Sequence, residues 1–175
     1  MELKGKRIAV LVDQSYQEME VWYPIYRLIE AGAEVVTVGP TAGAIIQSKL
    51  GYPVKADKAY TDVKAADFDG VVCPGGWAPD YIRRSEAAIN FVSELGKQGK
   101  LLAAICHGPW VLCSSDSIRG RKVTSFFAVK TDVVNAGGIW EDSEVVVDGH
   151  IVTSRKPEDL PAFLRACIAV VAAQK

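Results

Sequence analysis

A cysteine at a strand-to-helix corner is the residue best placed for chemistry in this chain. Cys106 follows the apolar run 101–105 and precedes Gly108 and Pro109, which begin a turn or helix. The small residues Ala104 and Gly108, two positions to either side, give the spacing of a nucleophile elbow. Such a corner also places the cysteine at a helix N-terminus, where free N–H groups favour a thiolate. We therefore predict a nucleophilic cysteine with a depressed pKa; the alternative is a small buried hydrophobic residue.

Two further segments supply groups that could assist this thiol. Gly75 and Gly76 follow another predicted core strand, and their backbone can approach a substrate closely. The N–H groups of Gly76 and His107 could form an oxyanion hole, whereas the alternative is a tight turn without a ligand. Glu20 lies one turn inside a predicted helix, near apolar neighbours. A buried carboxyl group there would have a raised pKa and could donate a hydrogen bond to a thiolate.

His107 is the candidate general base, although a side chain directly after the nucleophile need not face the thiol. A catalytic histidine needs a carboxylate to orient it. Asp80 lies close to the glycine turn in sequence and is the candidate for that role. The other cysteines, Cys73, Cys113 and Cys167, are interpreted as core residues.

Composition limits the function classes. The chain has 175 residues, so we predict a single domain (1–175). Its net charge is -1 and no run of Lys or Arg exceeds two residues, so we expect that it does not bind nucleic acid through a basic face. No apolar stretch approaches the roughly 18 residues of a membrane span, and we expect a cytoplasmic protein. The four cysteines form no C-x-x-C pair and there are two histidines, so we expect no metal and no cofactor.

Strand and helix patterns alternate along the chain, which predicts a parallel sheet covered by helices on both faces. The predicted strands are 7–12, 34–38, 68–73, 101–105, 122–125, 144–147 and 151–154, with a small hairpin around Gly51, and the predicted helices are 18–31, 85–98, 129–136 and 157–173. In the first helix, apolar residues at helical spacing are Met19, Trp22, Ile25, Tyr26 and Ile29. Sites in such sheets lie beyond the carboxyl ends of the strands. The loop after Val12, the Pro74–Gly76 turn and Cys106 should therefore meet.

Together these segments resemble the PfpI-like family of the class I glutamine-amidotransferase-like superfamily, which includes the parkinsonism-associated protein deglycase. The resemblance covers nearly the whole chain and is carried most specifically by Pro74-Gly75-Gly76-Trp77-Ala78-Pro79-Asp80 and Ala103-Ala104-Ile105-Cys106-His107-Gly108-Pro109. It implies a flavodoxin-like α/β sandwich with Cys106 as nucleophile and Glu20 as the acid that hydrogen-bonds it. It also implies a peptidase-type His107 and an oxyanion hole at Gly75, Gly76 and His107.

The resemblance further implies a homo-oligomer, a dimer or hexamer, in which Asp80 reaches the histidine of a neighbouring subunit. One departure concerns Gln17, which stands where relatives commonly carry an acidic residue. This difference removes one negative charge near the expected site.

Three functions share this site. The first is a cofactor-independent enzyme for small α-oxoaldehydes or their protein adducts, of glyoxalase or deglycase type. The second is an intracellular cysteine peptidase or amidase, which would act on a peptide substrate. The third is a non-enzymatic, redox-responsive stress protein or chaperone in which Cys106 is oxidised. We rank the carbonyl enzyme first because Glu20 is present and no extended substrate groove is indicated.

Overall fold

The computed structural model describes residues 1–174, in which strands and helices alternate as predicted. The strands are β1 (Arg7–Leu11), β2 (Glu34–Gly39), β3 (Ile45–Gln47), β4 (Pro53–Lys55), β5 (Lys58–Ala59), β6 (Gly70–Cys73), β7 (Leu101–Ile105), β8 (Lys122–Val123), β9 (Ile139–Trp140), β10 (Val145–Asp148) and β11 (Ile151–Ser154). The helices are α1 (Glu18–Glu30), α2 (Ala78–Ile82), α3 (Glu86–Lys97), α4 (Pro109–Ser114), α5 (Lys130–Asn135) and α6 (Leu160–Ala173). The short elements α2, β5 and β9 were not predicted from the sequence. Among these described helices, none is long and apolar enough to cross a membrane.

The central sheet has seven strands in the order β10-β11-β7-β6-β1-β2-β5. All of its pairings are parallel except that of β10 with β11, which is an antiparallel hairpin through Asp148, Gly149 and His150. Helices α1 and α6 pack together against one face, and α3 and α4 pack together against the other. Every residue of β7 is buried because this strand is covered on both faces. The predicted α/β sandwich is confirmed.

Of the five apolar residues at helical spacing in α1, Ile25 is buried and Trp22 is half-buried, whereas Met19, Tyr26 and Ile29 are exposed. Val21, Pro24, Ile25 and Leu28 are buried against the sheet and α6, whereas the face that carries Met19 is exposed. The helix is apolar on two faces, and hydrophobic periodicity alone does not say which face meets the sheet. The exposed face lies beside the β3–β4 hairpin, where it forms the wall of a groove.

Three loops meet at the carboxyl edge of the sheet, as the strand pattern predicts. Strands β1, β6 and β7 are neighbours, so the segments that follow them lie side by side. Tyr16, after β1, forms an isolated β-bridge to Gly76, after β6. The N–H of Trp77 also donates a hydrogen bond to the carbonyl of Ser15 at 2.9 Å. This edge therefore brings the candidate catalytic residues together.

Candidate active site

Cys106 occupies a sharp turn between β7 and α4. Its φ angle is 61°, a left-handed conformation that is uncommon for a residue other than glycine. The turn is held on both sides, since Cys106 N–H donates to the Ser154 carbonyl (3.1 Å) and Phe126 N–H donates to the Cys106 carbonyl (3.0 Å). A Cβ at Gly108 would lie 2.2 Å from the Cys73 carbonyl oxygen, so the next turn accepts only glycine. This is the backbone geometry expected of a nucleophile elbow.

The glycine turn after β6 lies directly against the cysteine. Gly75 N–H donates a hydrogen bond of 2.7 Å to Glu20 Oε2. Gly76 has a φ of 71°, and its N–H and that of His107 lie near enough to the Cys106 sulfur to lower the pKa of the thiol. Two N–H donors beside the nucleophile can also stabilise an oxyanion that forms there, if they lie about 3 Å from its oxygen.

Replacing Gly75 with Ala is expected to damage this arrangement. The new Cβ would lie 2.5 Å from Glu20 Oε2, 2.7 Å from Cys106 Cβ and 3.0 Å from His107 N, so the turn must shift away. We expect a loss of about 1–3 kcal/mol in the free energy of unfolding, measured by urea denaturation, together with slower alkylation of Cys106. Gly96→Ala is the matched control, because there the nearest contact is the flexible tip of Leu102, 3.0 Å away. Equal stability of the two variants would contradict this account of the turn.

Glu20 is the buried acid of the site. Its side chain is inaccessible to solvent, Oε2 accepts from Gly75 N–H, and Oε1 has no hydrogen-bond partner by geometry among residues 1–174. Burial raises the pKa of Glu20 from 4.5 to about 7, against the opposing effects of the Gly75 hydrogen bond and of the neighbouring Cys106 thiol. Near neutral pH this carboxyl group therefore exists in both protonation states, as a proton-transferring group requires.

The expectation of a simply depressed thiol pKa is not supported. Burial, followed by the negative charge of Glu20, raises the pKa of Cys106 to about 12, and the N–H groups of Gly76 and His107 only partly offset this. The two neighbouring groups therefore titrate as a pair that loses its first proton near pH 7. Because the pKa of Glu20 is about 7 and that of Cys106 is about 12, the first proton is lost from Glu20, and the thiol stays protonated near neutral pH. A thiolate forms only when the Cys106 proton passes to a base, and the Glu20 carboxylate and His107 Nδ1 are the two bases beside it.

His107 faces the thiol, although the sequence did not require it. Its Nδ1 lies 3.2 Å from Cys106 Sγ. The ring is enclosed by aromatic side chains: it stacks on Phe126 at 5.2 Å and lies 5.1 Å from Trp110 and 5.5 Å from Trp77, measured between ring centroids. Burial in this cage lowers the pKa of His107, so the imidazole is neutral at pH 7 and can accept a proton. Sequence analysis missed Phe126 and Trp110 because only the fold brings them to the histidine.

Asp80 does not contact His107 in this chain. It is half exposed on α2 and forms an ion pair with Arg84. No hydrogen bond joins it to His107 within residues 1–174, so the Asp80 of the same chain does not orient that histidine. Gln17 has a structural task, since its Oε1 accepts from the N–H of Glu20 at 2.9 Å and caps α1.

Cys73 and Cys167 are buried as predicted, whereas Cys113 is only half buried at the edge of the core. In the part of the chain that the structure describes, no group of three or more His, Cys, Asp or Glu residues is arranged to hold a metal ion.

Comparison with known proteins places this geometry in a family. Residues 6–170 match the model of the DJ-1/PfpI family. The chain is 42% identical over 171 residues to the Protein/nucleic acid deglycase 2 of Escherichia coli, covering 97% of this chain and 99% of that protein. It is 42% identical over 161 residues to a Bacillus subtilis protein named as a candidate cysteine protease, covering 92% and 95% of the two chains.

Solved structures agree with the sequence comparison. The crystal structure of Drosophila melanogaster DJ-1beta superimposes with a TM-score of 0.89 at 28% identity, covering 97% of this chain and 91% of that chain. The sheet order, the cysteine turn and the extent of these matches lead to one conclusion: the chain belongs to the DJ-1/PfpI family and has its flavodoxin-like fold.

Proposed function

We propose that this protein is a cofactor-independent enzyme that acts on small α-oxoaldehydes or their protein adducts, with Cys106 as nucleophile. The observation that carries this proposal is the pairing of the thiol with a fully buried carboxyl group that titrates near pH 7. An α-oxoaldehyde has two adjacent carbonyl carbons, and its conversion to a hydroxy acid requires a proton to move from one carbon to the other. A buried acid beside the nucleophile can perform that transfer. The deglycase name of the Escherichia coli relative supports the same chemistry.

The reaction begins when the Cys106 thiol passes its proton to the Glu20 carboxylate and adds, as the thiolate, to the aldehyde carbon of methylglyoxal. The C–S bond forms as the carbonyl π pair moves to oxygen, where the N–H groups of Gly76 and His107 stabilise the charge. Glu20 donates its proton to this oxygen and gives a hemithioacetal. The Glu20 carboxylate then removes the proton from that carbon and returns it to the neighbouring carbon, which leaves a thioester of lactic acid on Cys106.

Water completes the cycle. The neutral imidazole of His107, 3.2 Å from the sulfur, accepts a proton from water that attacks the thioester carbonyl. Collapse of the tetrahedral intermediate breaks the C–S bond, releases lactate and returns the thiol. The sum is methylglyoxal plus water giving lactate, with no oxidant, reductant or cofactor consumed.

The test is lactate formation by the purified protein, incubated with methylglyoxal and no added cofactor. Lactate that forms in proportion to the protein concentration is the expected result. Loss of methylglyoxal without lactate would mean that thiols and amines only trap the aldehyde, and it would refute the proposal.

A cysteine peptidase is the second candidate, and the contact between His107 and the thiol favours it. The Bacillus subtilis relative carries a corresponding name. A peptidase, however, needs a histidine oriented by a carboxylate, and within residues 1–174 no carboxylate bonds to His107. This function therefore depends on Asp80 of a neighbouring subunit.

An oligomer is supported by an exposed apolar groove of about 560 Å³ between α1 and the β3–β4 hairpin. Its walls include Met19, Tyr23, Tyr26, Leu50 and Tyr52, all of which are exposed in the single chain. Apolar surface of this kind marks an interaction site more often than a free surface.

Asp80→Asn tests whether the oligomer completes the site. If Asp80 acts across a subunit interface, peptidase activity in the assembled protein should fall at least about tenfold, while lactate formation should stay within about twofold. Glu86→Gln, at the start of α3, is the control of equal charge change. Peptide hydrolysis would be measured at protein concentrations above and below the concentration at which the oligomer dissociates. Sedimentation would determine that concentration. A fully active monomer would show that Asp80 does not act on His107 across a subunit interface.

A further inference from the structure

Lys49 lies on a loop that is tied to the active site through the backbone. It follows β3, and its N–H donates to the Tyr16 carbonyl at 2.9 Å. Tyr16 is in turn bridged to Ser48 on one side and to Gly76 on the other. Ser15 N–H also donates to the Gln47 carbonyl at 2.9 Å, so the loop and the oxyanion turn are held in one arrangement. The backbone of Lys49 is therefore connected to Gly76 of the oxyanion turn through one intervening residue, Tyr16.

The ammonium group of Lys49 is exposed and is not committed to another side chain. None of the ion pairs within residues 1–174 includes it. Two arginines of this region are engaged, since Arg84 pairs with Asp80 and Arg155 pairs with Asp142 and Asp159. Lys156, which lines the pocket beside Phe126 and Phe127, has no ion pair among residues 1–174 either. The Glu18 carboxylate, which lies near Lys49, already accepts a hydrogen bond from Leu50 N–H at 2.7 Å.

The field of this lysine reaches the catalytic groups. Its positive charge lowers the pKa of both Glu20 and His107. The negative charge of Glu158 acts in the opposite direction at Glu20. An unpaired cation at the mouth of a site whose own groups are neutral or negative attracts anions toward the nucleophile.

We propose that Lys49 is a specificity-determining residue that selects α-oxoaldehydes carrying an anionic group. This inference rests on the proposed function and names the substrate class of the same site. The anionic group would lie against the Lys49 ammonium while the aldehyde carbon faces Cys106. Glyoxylate, an aldehyde with an adjacent carboxylate, lacks the second carbonyl that receives the proton, so it is an anionic probe that binds without turnover, whereas glyoxal has the same length and no charge.

The test compares alkylation of Cys106 by iodoacetate, which is anionic, and by iodoacetamide, which is neutral. Both reagents react with the same thiolate, so the ratio of their rates at one pH does not depend on how much thiolate is present. A change in this ratio between variants therefore reports the electrostatic field at the sulfur. We expect Lys49→Met to lower this ratio on the order of fivefold at low ionic strength, and Lys49→Glu to lower it further. Lys49→Arg should keep the ratio within about twofold, and 0.5 M salt (about a 4 Å screening length) should remove most of the difference.

A second measurement uses glyoxylate as a protecting ligand. The thiol adds reversibly across the aldehyde C=O, with the S–H proton passing to oxygen, and so slows alkylation by iodoacetamide. Lys49→Met should raise the concentration of glyoxylate needed for half protection about fivefold and leave that of glyoxal unchanged.

Lys64→Met is the matched control, since it removes the same charge from a distant exposed position. An unchanged ratio in Lys49→Met, or an equal fall in Lys64→Met, would overturn the proposal. A fall only in Lys156→Met would also overturn it, by assigning the effect to the cation beside Phe126 and Phe127. Alkylation requires no turnover. If the protein makes no lactate but the alkylation ratio still depends on Lys49, the proposed aldehyde reaction is refuted. The electrostatic selection of anions by Lys49 is then still supported.

Discussion

Replacing Cys106 with Ser is expected to reduce lactate formation from methylglyoxal by at least about a thousandfold. Serine has nearly the same size, so the turn at φ 61° and the hydrogen bonds of its backbone should survive. A hydroxyl group is a much weaker acid than a thiol and does not ionise beside Glu20 near pH 7. The variant therefore lacks the nucleophile in an otherwise complete site, and lactate measured over time reports the loss.

Cys113→Ser is the matched control for this experiment. Cys113 is seven residues further along and is half buried, and burial raises the pKa of its thiol to about 11. Its loss should leave lactate formation unchanged within about twofold. Equal lactate from native protein and Cys106→Ser would remove the cysteine from the reaction. Equal loss of activity in both cysteine variants would point to damage to the fold rather than to chemistry.

Replacing Glu20 with Gln has the second largest expected effect, a fall in turnover of about a hundredfold or more. The amide can still accept from Gly75 N–H and can donate to the sulfur, but it cannot carry a proton from one substrate carbon to the next. Alkylation of Cys106 at pH 8 should therefore stay within a few fold while lactate formation falls. This separation of the two rates distinguishes proton transfer from a merely structural role.

The pH dependence gives a second readout for the same variant. In the native protein, turnover should rise with pH to a plateau above about 7, as the pair of Glu20 and Cys106 loses its first proton, and this step should be absent in Glu20→Gln. The raised pKa also affects stability. Because the folded protein holds the Glu20 proton more tightly than the unfolded chain, stability falls as pH rises from 4.5 to about 7, by up to about 3 kcal/mol. Denaturation curves should show that slope in the native protein and less of it in the variant. Undiminished turnover in Glu20→Gln would exclude Glu20 from the mechanism.

Much of the fold and of the candidate site could be predicted from local chemistry. The strands are short apolar runs separated by amphipathic helices, and parallel neighbours must present their carboxyl ends at one edge. That rule alone brings Tyr16, Gly76 and Cys106 together, as the structure has them. Glycines at 75 and 108 are likewise local requirements, because no Cβ fits where those chains approach each other.

Long-range packing decided the rest. The sequence by itself determined the α/β order, the turn at Cys106 and the identity of Glu20 as a candidate acid. Only the tertiary structure decided which apolar face of α1 is buried, because two faces satisfy the same period and the sheet can cover one. It alone enclosed His107 with Phe126 and Trp110, and it alone set the ionisation of Glu20 with the thiol. Burial and the charge of a neighbour are properties of three-dimensional distance, and spacing along the chain does not contain them.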